Sequence, residues 1–378
     1  MRPRDYFPLG KAYGDAFCNR EKEAEKLLGN VKAGKHTFLI APRRYGKSSL
    51  CEKVFAMSQL PWSKVDFHLA IAERDVERFI LHGVTDLIGK SISHVDKLTS
   101  VIKNTAKKLK PTFELSAGPL RLELGVSYGS TPAENVAEAL LLLDRLLIEK
   151  DKQAIFHLDE FQEVGEVSKG RGIEGAIRHA AQETKKLSLI FSGSNPHLIK
   201  NMFENERRPL YKLCKKLILL RISKDHYQKH LNKAAQMMWG KDLPEECFTR
   251  IMALTQRHPY YVNALCDEVW SEASTPPSVN KIQSCWDYVV ESERSDLIKD
   301  FLSLSDNQRR VLIHLANVGG GYLFSHQSAQ KMSIPVSSLP SAIEVLLEKD
   351  FIEKVGDQYA LVVPAYKDIL YGHDYGED

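Results

Sequence analysis

Short apolar runs alternate with longer amphipathic stretches over the first 222 residues. Thr37-Phe-Leu-Ile40, Ala154-Ile-Phe-His-Leu158, Leu187-Ser-Leu-Ile-Phe191 and Lys216-Leu-Ile-Leu-Leu-Arg221 are the length of buried parallel strands. Val65, Phe67, Leu69 and Ile71 alternate as in a further strand over 65–71. Helical spacing covers Ser48–Met57, Asp75–Ser91, Pro132–Glu149, Ile173–Lys185 and Pro196–Leu213 between them. Strands interleaved with helices predict an α/β fold with a mostly parallel sheet flanked by helices. Alternation around Ala117-Gly118-Pro119 predicts a β-hairpin insert near 112–126.

The pattern changes after residue 222. Asp225–Trp239, Pro244–Thr255, Pro259–Ser271 and Val279–Glu291 carry helical spacing only, with a break at Thr275-Pro-Pro-Ser278. From 296 onward, helices are predicted at Asp306–Asn317 (capped by Asp306), Ser325–Met332 and Ser337–Lys349. The segments Phe351–Lys354 and Gln358–Val363 flank Gly356-Asp357 as a hairpin. Three helices and a hairpin are the plan of a winged helix. The expected organisation is thus a sheet domain over 1–222, a helical lid over 223–295 and a winged helix over 296–378.

At 378 residues, 43% hydrophobic and 27% charged, the chain reads as a soluble globular protein of two or three domains. No apolar run approaches the ~18–20 residues of a membrane span, and the first residues hold no signal-peptide core. The six cysteines, at 18, 51, 214, 247, 266 and 285, form no CxxC pair or zinc spacing and read as buried thiols of a reducing compartment. A cytoplasmic location is expected. The net charge is +3, but residues 300–378 hold six Lys/Arg against eleven Asp/Glu, a net −5. The first 299 residues therefore carry +8, and attraction to phosphate belongs there.

The sharpest chemistry is Ala41-Pro42-Arg43-Arg44-Tyr45-Gly46-Lys47-Ser48-Ser49, which follows a predicted strand and opens a predicted helix. That is the context of a Walker A phosphate loop. Loop and helix N–H groups would face a β-phosphate, and Gly46 would let the backbone approach closely. Lys47 would meet the β- and γ-phosphates, and Ser48 would ligate Mg²⁺. Ala41 stands where Gly is usual, which is tolerable if its φ is negative. About 110 residues on, an apolar strand ends in Asp159-Glu160. Asp159 suits the metal shell, directly or through water, and Glu160 suits polarising an attacking water. His157, within that strand, reads as a sheet-face residue. ATP and Mg²⁺ are the expected ligands, and ATP hydrolysis is the expected reaction.

Phe17-Cys-Asn-Arg20-Glu21-Lys-Glu23, followed by the Pro-Arg-Arg-x-Gly-Lys form of the phosphate loop, resembles the prokaryotic AAA-like ATPases called archaeal ATPases. These group with STAND and Orc/Cdc6-type P-loop proteins, and the order of motifs over 13–270 is similar. The resemblance implies that Phe17, Asn19 and Arg20 line the adenine pocket, with ordinary packing as the alternative, and that Pro259 of Arg257-His258-Pro259 packs against the adenine side. It puts a polar sensor at Ser194 or Asn195, though Ser192-Gly-Ser-Asn-Pro196 also reads as a turn and helix cap. It puts an arginine finger acting on a neighbouring subunit at Arg207 or Arg208; a solvated basic patch is the alternative. The family writes the lid motif Gly-x-Pro, and Arg257 and His258 depart from it.

Three functions follow: an ATPase switch acting on a protein partner or its own assembly, a DNA-associated Orc/Cdc6-like ATPase, and a nucleotide-binding scaffold that hydrolyses little. DNA is disfavoured at the winged helix. Its candidate recognition helix has no basic residue before Lys349 and carries Glu344 and Glu348. Lys97, Lys103, Lys107, Lys108 and Lys110 would form a positive helical face elsewhere.

Overall fold

A computed structural model describes residues 2–91, 109–114, 121–126, 129–168 and 171–372. The chain forms two compact units: residues 20–41 with 50–219, and residues 1–19 with 42–49 and 220–378.

The first unit is built on strands β1 (Thr37–Ile40), β2 (Trp62–Asp66), β5 (Ala154–Asp159), β6 (Leu187–Gly193) and β7 (Lys215–Ile218). They form one parallel sheet in the order β2-β5-β6-β1-β7. Every residue of β1, β5 and β6 is buried, as the near-continuous apolar runs require when helices cover both faces. Helices belonging to this part of the chain are α1 (Glu21–Lys32), α2 (Lys47–Ser58), α3 (Glu73–Ser91), α4 (Pro132–Glu149), α5 (Gln162–Val167), α6 (Gly172–Glu183) and α7 (Pro196–Glu204). Gly83 lets α3 lie directly on the sheet: a Cβ there would collide with Val65 and come within 2.7 Å of Phe156. Strands β3 (Leu109–Glu114) and β4 (Arg121–Val126) pair antiparallel, the expected hairpin; its turn at 117–119 lies outside the described residues.

Several local expectations need correction. The strand expected over 65–71 is β2, and it ends at Asp66, opposite Asp159, because its partner β5 ends there. The chain then turns (Ala70 N–H to Phe67 O, 2.9 Å), leaving Leu69 and Ile71 77% and 88% exposed. The helix expected to reach Leu213 stops at Glu204. Asn205 accepts the Arg207 N–H at 3.0 Å, and Pro209 disfavours a helical conformation at the residue before it. Lys110 lies on β3, not on a helix, and the other four lysines of that run are outside the described residues. Asp306 does not cap its helix: Ser305 does, in a capping box with Gln308.

The second unit holds α8 (Lys224–Trp239), α9 (Glu245–Thr255), α10 (Pro259–Glu272), α11 (Val279–Leu302), α12 (Asp306–Asn317), α13 (His326–Lys331), α14 (Leu339–Glu348), α15 (Tyr366–Leu370) and the hairpin β8 (Ile352–Val355) with β9 (Gln358–Leu361). Helix α11 runs eleven residues past its expected end; no Gly or Pro interrupts it, and Leu297, Ile298 and Phe301 continue its apolar face. One core, from Tyr6 and Phe7 through Trp270 and Trp286 to Tyr366, serves all of these helices. The Trp286 indole N–H donates to Asp368 at 3.0 Å and the Tyr366 hydroxyl to Leu297 O at 3.1 Å. Among the described residues no helix is long and apolar enough to cross a membrane.

Candidate nucleotide-binding site

Strand β1 ends at Ile40, and the loop 41–46 leads into α2 at Lys47. Within it Arg44 (φ 63°) and Gly46 (φ 81°) are left-handed, while Tyr45 between them is not. Alternation of this kind turns successive N–H groups to one side, forming a nest for an anion at the start of a twelve-residue helix. Gly46 is glycine for this conformation, with open space around its Cα. Ala41 is not left-handed, so alanine fits there. Lys47 is buried and Ser48 half-buried. The Ser49 hydroxyl accepts the Ala12 N–H at 3.0 Å.

Two side chains of the loop are held by partners no motif announces. The Arg44 guanidinium lies 4.0 Å over the Tyr260 ring and 3.3 Å from Glu293 on α11. Glu293 also accepts the hydroxyls of Tyr260 (2.6 Å) and Tyr261 (2.5 Å). Tyr45 is buried, its ring edge-on to His258, and its hydroxyl donates to Glu353 of β8 at 2.9 Å. Burial and the Glu353 charge push that hydroxyl's pKa up. Arg221 binds both: its Nε is 2.9 Å from the Tyr45 hydroxyl and 2.8 Å from Glu353 Oε1. Arg43 is exposed.

The end of β5 carries the acids. Asp159, 3% exposed, accepts the Ser192 hydroxyl on Oδ1 at 2.5 Å and pairs through Oδ2 with Lys64 at 2.6 Å. The Ser192 hydrogen is thus committed, so Ser192 accepts from His157 Nε2 at 2.7 Å. Burial works against the charge on Lys64, but its bond to Asp159 outweighs that and raises its pKa. Glu160 is left-handed at φ 50°. Its Oε2 takes the Ser194 N–H (3.1 Å), the Ser194 hydroxyl (2.7 Å) and the Gln162 amide (2.6 Å). The Asp159 carboxylate offers oxygen ligands and already rests against a cation, chemistry that fits Mg²⁺.

No protein-family model matches the sequence, and no curated protein matches it. Solved structures do match. A Walker-type ATPase of Pyrococcus abyssi superposes with a TM-score of 0.68 at 16% identity, over 97% of this chain and 99% of that one. The ORC2 protein of Aeropyrum pernix, solved in ADPNP–ADP complexes, gives 0.58 at 12% identity, over 97% and 95%. The ORC1 protein of the same organism, solved with DNA, gives 0.50 at 14%, over 98% and 96%. This chain has the AAA-like P-loop NTPase fold.

The remaining positions singled out in the AAA-like pattern are placed as follows. Asn195 caps α7, its Oδ1 accepting the Leu198 N–H at 3.0 Å. Ser194 serves Glu160. Arg208 is held by Glu174, which is fully buried, with Nη2–Oε1 at 2.6 Å and Nε–Oε2 at 3.2 Å; Arg207 is exposed. Phe17 and Asn19 are half-buried, and Arg20 is buried and pairs with Glu23 at 3.3 Å. Pro259 is the first residue of α10, and Arg257 is left-handed at φ 63°. Arg257 thus keeps the backbone shape of the glycine the AAA-like lid motif usually has there, at a cost of roughly 1–2 kcal/mol. Pairing partners such as Lys64, Ser192, Arg221, Glu293 and Glu353 carry no sequence signal of their own, because each is defined by register or by chain-distant packing.

Proposed function

We propose that this protein binds ATP with Mg²⁺ through residues 41–49 and hydrolyses it to ADP and phosphate. The observation that carries the reading is the alternating backbone at Arg44 and Gly46, opening a helix directly after β1, an interior strand of the sheet between β6 and β7. Lys47 holds the β- and γ-phosphates, and Ser48 and Asp159 supply oxygen ligands to the metal. Bound there, Mg²⁺ neutralises phosphate charge as the terminal bond breaks. Glu160 orients a water and takes its proton as the oxygen bonds to the γ-phosphorus and ADP leaves. Its contacts with Ser194 and Gln162 support this role by fixing the carboxylate before reaction. Phe17, Arg20 and Pro259 are assigned to the adenine.

The same reading divides the chain into an ATPase core (1–222), a helical lid (223–295) and a C-terminal winged helix (296–378). We assign it to a molecular switch in which nucleotide state is passed to a protein partner or to self-assembly. The acidic C-terminal segment and the Glu344 and Glu348 charges on α14 favour protein over DNA, although one solved structure of this fold is a DNA complex. Arg207, exposed where Arg208 is engaged by Glu174, is the better candidate to act on a neighbour's nucleotide.

Calorimetry and phosphate release test the core of this. Mg²⁺–ATP gives measurable binding heat with the wild type, and Lys47→Ala weakens binding by about ten- to a hundredfold. Glu160→Gln keeps binding and lowers turnover by about a hundredfold or more. No binding heat in the wild type sinks the reading; wild-type turnover in Glu160→Gln sinks only the base.

A further inference from the structure

Lys64 is a residue that the motifs do not use, yet it lies against the metal-site acid. It stands on β2 directly across from His157 in the parallel register, so it shares the sheet face of His157 and Asp159. Its Nζ is 2.6 Å from Asp159 Oδ2 and 3.8 Å from Asp66 Oδ2. Asp66 is fixed in turn, since its Oδ1 accepts the His68 N–H at 3.0 Å. The lysine therefore sits between two anchored carboxylates, one almost fully buried and one half-exposed, with 5% and 52% of their side chains accessible.

The two oxygens of Asp159 are not equivalent. Oδ1 is held by the neutral Ser192 hydroxyl. Oδ2 carries a full positive charge at contact distance. A magnesium ion binds carboxylate oxygen at about 2.0–2.1 Å. An ammonium on the same carboxylate would be close enough for strong cation–cation repulsion in a poorly solvated setting. A conflict of this sort is relieved most simply by moving the lysine, and the nearer edge of Asp66 offers it a new partner with only a side-chain rotation.

We propose that Lys64 is a resident counter-cation that competes with the divalent ion for Asp159 and transfers to Asp66 when the ion binds directly. The inference rests on the reading of Asp159 as a metal ligand. It makes metal affinity, and not only nucleotide affinity, a tuned property of this site. In the metal-free state the lysine pairs with this buried carboxylate. In the metal-bound state Asp66 compensates the lysine.

The test is a Mg²⁺ titration of this 378-residue chain with a fluorescent ADP analogue (mant-ADP), reading the Mg²⁺ concentration at half-maximal binding. Lys64→Met lowers that midpoint by about fivefold, and Asp66→Asn, which removes the alternative partner, raises it by about twofold. Lys64→Gln replaces Lys64→Met should the latter lose its wild-type circular dichroism. A folded Lys64 variant with an unchanged midpoint overturns the proposal while leaving ATP binding intact. A wild type that binds no mant-ADP at any Mg²⁺ concentration overturns the ATP reading and this inference with it.

Discussion

His258 lies at the junction of chemistry and stability because its ring is buried against Tyr45 and Tyr261. Burial, then the fields of Arg221 and Arg44, bring its pKa down from 6.5 to about 3. His230 is lowered to about 4 by burial and by Lys233. Both folded values lie below the ordinary one, so as pH falls the unfolded chain takes up these protons first. The stability contributed by keeping them neutral is complete above the ordinary value and drains away below it, towards the folded values. Each histidine should cost about 1.4 kcal/mol per pH unit in that window. Urea denaturation followed from about pH 7.5 to about pH 5 measures the slope, and His258→Gln should flatten it by about one proton's worth. The residue scale is also where motifs are most legible. Lys47, Ser48, Asp159 and Glu160 are recognisable because phosphate and metal chemistry demand particular side chains at fixed spacing. Asn195 shows the limit. Serine-rich turn and sensor share one sequence, and its observed bond is a helix cap.

Helices and strands divide by how locally their cause is written. Helix α4 matches its expected bounds, since Thr131 and Glu134 form a capping box with Pro132 at the first position. The end of β2 was not readable, because the alternation from Val65 to Ile71 continues after the pairing strand has ended. Asp144 illustrates what joins elements. It is buried on α4, and its carboxylate accepts the N–H groups of Lys185, Lys186 and Leu187, at 3.0, 2.7 and 3.0 Å from Oδ1, at the entry to β6. Replacing it with alanine leaves three donors without that partner. Asp144→Ala should destabilise the protein by about 2–4 kcal/mol, and Asp144→Asn by less, since one amide oxygen still accepts. Equilibrium denaturation of the two variants checks the order; equal losses would mean that packing, not hydrogen bonding, sets the cost.

Across the whole molecule, the phosphate loop belongs to the same compact unit as the C-terminal helices and hairpin. Tyr45, Arg221 and Glu353 form the link, and Arg221 extends it to Gln256 O and Leu361 O at 2.9 and 2.8 Å. Tyr45→Phe keeps the ring against His258 but deletes the hydroxyl that ties loop to hairpin. The loop should then be less preorganised, and mant-ADP should leave about three- to tenfold faster in a stopped-flow chase. An unchanged release rate would mean that the link does not reach the nucleotide. By itself the sequence determined the α/β alternation, the phosphate loop with its helix, and the acid-ended strand, because each is set by neighbours a few residues away. Only the tertiary structure decided which side chains brace them. Tyr45 meets Glu353 across 308 positions and Arg221 across 176, and Lys64 meets Asp159 through strand register. Contacts over such separations depend on pairing and packing of the entire chain, and no local pattern encodes them.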